Sequence, residues 1–112
     1  MQPPPRSMSC LVWNCRGLGN LRIKKELGAI VRAKDPSIMF IAKTWVDEVR
    51  LKDIKRNLEF DHVFVVPRIN RGGGLALFWK NSMDVTMETF SNNHIDSIIN
   101  KGKKGAWRFI GF

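Results

Sequence analysis

Apolar residues along this chain follow two rhythms, one close to the 3.6-residue turn of a helix and one of short unbroken or alternating runs. Residues 9–14 form a β-rich apolar run that ends in the polar, glycine-bearing stretch 16–20, which predicts a first strand leading into a loop. From Arg22 onward Ile23, Leu27, Ile30 and Val31 recur at i, i+4, i+7 and i+8, with Asn20 placed as a cap and Asp35-Pro36 as a stop. An amphipathic helix with a basic outer face is expected there. Residues 37–42 are apolar without alternation, as in a strand covered on both faces, and strand–helix–strand predicts a right-handed crossover between parallel strands. Asp47 is placed to cap a second helix, with Leu51, Ile54 and Leu58 on its buried side and Lys and Arg between them. Beyond it the rhythm changes from crossovers to hairpins. Strands are expected at 63–66, 75–79, 85–90, 94–99 and 107–112, with turns at 71–74, 81–82, 92–93 and 101–105.

Composition narrows the class. A chain of 112 residues holds one small domain, read as 9–112 behind an extended proline-rich leader at 1–8. Hydrophobic residues at 44% and charged residues at 26% exclude wholesale disorder and a fibrous repeat. Lys and Arg number 19 against 10 Asp and Glu, and the resulting +9 runs along the chain instead of gathering in a tail. Such a balance is equally consistent with a polyanionic partner such as nucleic acid and with simple solubility. Cys10 and Cys15 sit five residues apart, a spacing that points them to opposite faces of a strand. With no disulfide framework and no zinc spacing, a nuclear or cytoplasmic compartment is expected. Residues 1–7 lack an apolar signal core, and no apolar run reaches the ~18 residues a bilayer requires, so secretion and a membrane partner are disfavoured.

Two segments carry chemistry in order along the chain: Trp13-Asn14-Cys15-Arg16-Gly17 at the end of the first strand, and Phe40-Ile41-Ala42-Lys43-Thr44-Trp45 at the end of the second. A third, Arg68-Ile69-Asn70-Arg71-Gly72-Gly73-Gly74, leads into the strand at 75–79. Together they resemble the endonuclease/exonuclease/phosphatase superfamily, and most closely the endonuclease domain of plant LINE-type (non-LTR) retrotransposon reverse transcriptases, over residues 8–112. The resemblance implies an α/β (α+β) fold: the N-terminal portion of a four-layer α/β/β/α DNase I-like sandwich, a mixed sheet flanked by two helices, incomplete as it stands. It also implies phosphodiester cleavage assisted by Mg²⁺, which polarises phosphate and stabilises developing charge. Asn14 matches the family's Asn that helps position metal or water, and Lys43 stands where the family has a metal-binding Glu. The remaining machinery of the family, an Asp-x-Asn pair and a later Asp-His pair, belongs to a second half not found in these residues.

Lys43 decides what this chemistry can become. An ammonium about 4 Å from a doubly charged ion repels it by roughly 8 kcal/mol at an effective dielectric of about 20, and magnesium sites have few carboxylates to spare. Metal binding is therefore expected to fail, and Asp47 and Glu48, four or five residues on, are poorly placed substitutes. His94 and Asp96 share one strand face as a base and its orienter would, although a structural pairing between them is the simpler expectation. Gly72, Gly73 and Gly74 beside Arg68 and Arg71 fit an anion nest less well than a hairpin turn. Trp13, Trp45, Trp79 and Trp107 lie in or beside apolar strands and are expected to be buried rather than to stack on bases. The expectation is a catalytically inactive portion of a retrotransposon-type endonuclease domain that binds no metal and no small-molecule cofactor. The alternatives are a basic nucleic-acid-binding module using Arg16, Arg68 and Arg71, or an interaction fragment that needs the missing C-terminal half.

Overall fold

The two unbroken apolar runs lie side by side at the centre of a sheet covered on both faces. In the computed structural model, which describes residues 9–69 and 73–112, the elements run β1 (Cys10–Asn14), α1 (Leu21–Lys34), β2 (Ile38–Ala42), α2 (Glu48–Asn57), β3 (His62–Val66), β4 (Leu75–Trp79), β5 (Val85–Phe90), β6 (Ile95–Ile99) and β7 (Trp107–Gly111). A mixed four-stranded sheet has the order β1-β2-β4-β3, and a three-stranded antiparallel sheet has the order β5-β6-β7. β1 pairs parallel with β2, as the crossover pattern predicts, while β4 runs antiparallel to both β2 and β3.

Alternation along β2 and β4 explains why both read as continuous apolar sequence. Met39 and Ile41, with Ala76 and Phe78, point to one side, where Leu27 and Val31 of α1 and Leu51 and Ile54 of α2 complete a core. Ile38 and Phe40, with Leu75 and Leu77, point to the other, where Ile95 and Ile99 of β6 and Trp107 and Phe109 of β7 form a second core. The result is three layers: helices, mixed sheet, antiparallel sheet. This is the mixed α/β architecture expected, with the strands divided between two sheets. The sheets meet through aromatic contacts, Phe40 on Phe109 at 5.6 Å and Phe64 on Phe90 at 5.1 Å between ring centroids.

Helix ends follow the polar signals. The Asn20 side chain accepts from the Arg22 amide at 2.8 Å, and Asp47 Oδ1 accepts from the Arg50 amide at 2.9 Å, so each helix starts on a side-chain cap. α1 ends at Asp35 in the left-handed region. Leu58 forms the half-buried cap of α2 instead of a full core position. Among the described residues, no helix is long and apolar enough to cross a membrane.

One expectation about the second sheet is corrected. His94 and Asp96 do not pair with each other. Asp96, 5% exposed, takes the Arg108 guanidinium from the neighbouring strand, with Nε donating to Oδ1 at 2.8 Å and Nη2 to Oδ2. His94 instead spans the β5–β6 turn, its Nδ1 2.6 Å from Ser91 Oγ and its Nε2 3.2 Å from Thr89 Oγ1. A fork-shaped guanidinium satisfies both carboxylate oxygens, which one imidazole N–H cannot do.

Candidate functional site

The directions of β1, β2 and β4 bring three loops to one edge of the mixed sheet. Asn14 is opposite Ala42 in the parallel pair, and Ala42 is opposite Leu75 in the antiparallel pair, so β1 and β2 end where β4 begins. β3 ends there too, with Val66 opposite Leu75. Backbone hydrogen bonds then stitch the loops together. The amides of Gly17 and Leu18 donate to the carbonyls of Lys43 and Thr44 at 2.9 and 2.8 Å. The amides of Thr44 and Trp45 donate to the carbonyls of Gly74 and Gly73 at 3.2 and 3.3 Å.

Making these bonds bends the chain into the left-handed region at Arg16 (φ +53°), Lys43 (φ +55°) and Trp45 (φ +55°). Each such non-glycine residue costs on the order of 1–3 kcal/mol, and strain of this kind collects at functional sites. Gly74 (φ +88°) is needed for a second reason, since a Cβ there would stand 2.5 Å from Thr44 Oγ1. Thr44 is fully buried, and its Oγ1 has no hydrogen-bond partner among the described residues. Below the loops Cys15 is buried, with Sγ 3.4 Å from the Lys43 carbonyl. Burial pushes its thiol pKa up against the opposing pull of the Gly17 amide, so it stays a neutral thiol and not a nucleophile.

The structure brings four of the five residues singled out in the sequence to this edge. Asn14 ends β1 and is exposed, and Lys43 follows β2 directly, also exposed. Arg16 is exposed in the loop after β1, while Arg68 follows β3 and donates from Nη1 to the Trp45 carbonyl at 2.9 Å. Arg71, with Gly72, lies outside the described residues, so the nest reading rests on Gly73 and Gly74 alone. His94 and Asp96 belong to the second sheet.

Trp45 departs from the expected burial of the tryptophans. Trp107 is buried and Trp13 and Trp79 are half-buried, but Trp45 is 39% exposed, with its six-membered ring resting on Gly17. It borders a cleft of about 300 Å³ together with Val46, Asp47, Arg50 and Arg68. Sequence reasoning weighed Trp45 for base stacking but set it aside as buried, and did not single out Arg50. The available signal was position: Trp45 follows the strand end instead of lying within the strand, so the alternation that buries an aromatic no longer governs it.

Charge at this edge is positive. Arg16, Lys43, Arg50 and Arg68 take part in no ion pair among the described residues, while Glu48 is engaged by Lys52 at 3.4 Å. The side chains at the ends of β1 and β2 are one amide and one ammonium. Among the described residues no three His, Cys, Asp or Glu side chains gather where they could hold an ion. This donor set does not fit the divalent cation that the sequence resemblance implies.

The crystal structure of AP endonuclease LMAP from Leishmania major matches this architecture with a TM-score of 0.62 at 14% identity, over 89% of this chain and 38% of that chain. The chain carries part of a DNase I-like fold. At 14% identity the likeness is one of fold, and the chain spans well under half the length of that endonuclease. No protein-family model and no curated protein matches the sequence. Within the DNase I-like fold the edge described here is the meeting point of the C-terminal ends of parallel strands, where open α/β sheets commonly place ligands.

Proposed function

We propose that this chain is an N-terminal portion of a LINE-type retrotransposon endonuclease domain that no longer cuts DNA and binds nucleic acid through the cationic strand-end site. The observation that carries the reading is Lys43, an exposed ammonium directly after β2, where the resembled family places a metal-binding carboxylate. With Arg16 and Arg68 on the adjoining loops, the edge attracts the phosphates that a metal ion would otherwise have met. The same reading puts the protein in the nucleus or cytoplasm.

The test combines cleavage and binding. Purified protein with Mg²⁺ is expected to leave supercoiled plasmid intact. Labelled duplex DNA is expected to bind at low salt and to lose affinity steeply as salt rises, with Lys43→Ala lowering the log–log slope by about one. Magnesium-dependent nicking that Asn14→Ala abolishes would overturn the inactivity claim. Binding that is absent at low salt, or flat across the salt series, would overturn the binding claim.

A second reading, a fragment that docks onto the remaining half of its domain, is favoured by the outer face of the second sheet. There Ile110 is 37% exposed and Phe112 81% exposed. Size-exclusion chromatography with the remaining half of the domain added would support it through co-elution that Phe112→Ser weakens, and a strictly monomeric, non-interacting chain would count against it.

A further inference from the structure

The cleft beside Trp45, which shares Arg68 with the cationic strand-end edge, has the parts of a nucleotide subsite. Trp45 is a large aromatic side chain held in place before any ligand arrives. Its amide donates to the Gly73 carbonyl at 3.3 Å, its carbonyl accepts from Arg68 at 2.9 Å, and one side of its ring lies on Gly17. Ordering an aromatic platform in advance removes much of the entropy cost of binding. Arg50 and Arg68 flank it, and both are free of ion pairs among the described residues. Asp47 is the acid in the lining, with Oδ1 already engaged by the Arg50 amide at 2.9 Å, so the two guanidinium groups outweigh it.

Size and chemistry narrow the ligand. The cleft, at about 300 Å³, is at the lower end of the ~300–1,000 Å³ typical of ligand clefts, which suits one base and its sugar. An exposed indole stacks on any nucleobase, and guanidinium groups match phosphate oxygens in bidentate geometry. We propose that Trp45, Arg50 and Arg68 form a subsite for one unpaired nucleotide, with the base stacked on the indole and the phosphate on the arginines. The subsite gives the protein a preference for single-stranded over double-stranded DNA without selecting sequence. This inference rests on the nucleic-acid reading above and specifies the form of nucleic acid that the edge prefers.

The test titrates the full chain with fluorescein-labelled (dT)₈ and with a blunt duplex of eight base pairs at one low salt concentration. The single strand is expected to bind at least about tenfold more tightly and to quench tryptophan emission. Trp45→Ala is expected to cost about tenfold on (dT)₈ and little on the duplex. Trp45→Phe keeps a stacking face and serves as the variant that preserves the fold. It is expected to retain affinity within a few-fold while the quenching disappears. Equal affinity for strand and duplex, or quenching that persists in Trp45→Phe, would overturn the subsite while leaving duplex binding by the cationic edge intact. Failure of both DNAs to bind would remove the nucleic-acid reading and the subsite with it.

Discussion

Gly17 combines two requirements that no other residue type meets. Its φ of +115° is unfavourable for an L side chain, and a Cβ there would stand 3.0 Å from Trp45 Cε3. Gly17→Ala is therefore expected to destabilise the fold by more than about 1 kcal/mol, a fall of several degrees in the thermal unfolding midpoint followed by circular dichroism. It should also loosen Trp45 and shift its emission to the red, and an unchanged midpoint would show that the ring does not press on this residue. Asp96 offers a second test at the same scale. The hydrogen-bonded guanidinium of Arg108 holds its carboxyl below the usual carboxylate value, and this effect outweighs the upward push of burial. A depressed folded-state pKa adds stability that is complete above the unfolded value of about 4 and is lost as pH falls through the lower folded value. Asp96→Asn is thus expected to lower stability near pH 7 and to flatten its acid dependence, measured by urea unfolding from pH 7 to pH 3. A parallel offset at every pH would contradict the linkage.

At the scale of elements, the helices and strands were legible from local pattern and their side-chain partners across strands were not. Asn20 and Asp47 as caps, the stop at Asp35, and the strands at 75–79 and 85–90 match the structure residue for residue. Asn20→Ala should cost about 0.5–2 kcal/mol by removing the acceptor for the Arg22 amide, read as a lower urea midpoint with an unchanged m-value. Asp96 was misread for a physical reason. Its pattern alternates with His94 along one chain, but its partner Arg108 comes from the next strand, and cross-strand neighbours follow from register, not from spacing. The same applies to the site. Asn14 and Lys43 were recognisable as strand-end residues, whereas Arg50 was hidden among the basic residues of an amphipathic helix, and only the convergence of the loops sets it beside Trp45.

For the molecule as a whole, the close approach of the two sheets matters most. Gly111 on β7 faces the mixed sheet so closely that a Cβ would stand 2.7 Å from Phe40 Cε1 and Cζ. Phe40 is itself buried in the central strand and in contact with Phe109, so it has little room to retreat. Gly111→Ala is expected to destabilise by about 1–3 kcal/mol through overpacking, and a double variant with Phe40→Leu should recover part of the loss in chemical denaturation. Equal losses in the single and double variants would show that the sheets yield elsewhere.

The sequence by itself determined the helices, the places of the strands, the two helix caps and the excess of positive charge, because each depends on side chains within a few residues of one another. Tertiary structure alone decided that the strands divide between two sheets, that three loops meet over Lys43 and Thr44, that Trp45 stands in the open, and that Asp96 takes Arg108. Those outcomes come from contacts between distant parts of the chain, where register and packing choose among partners that local pattern leaves equivalent.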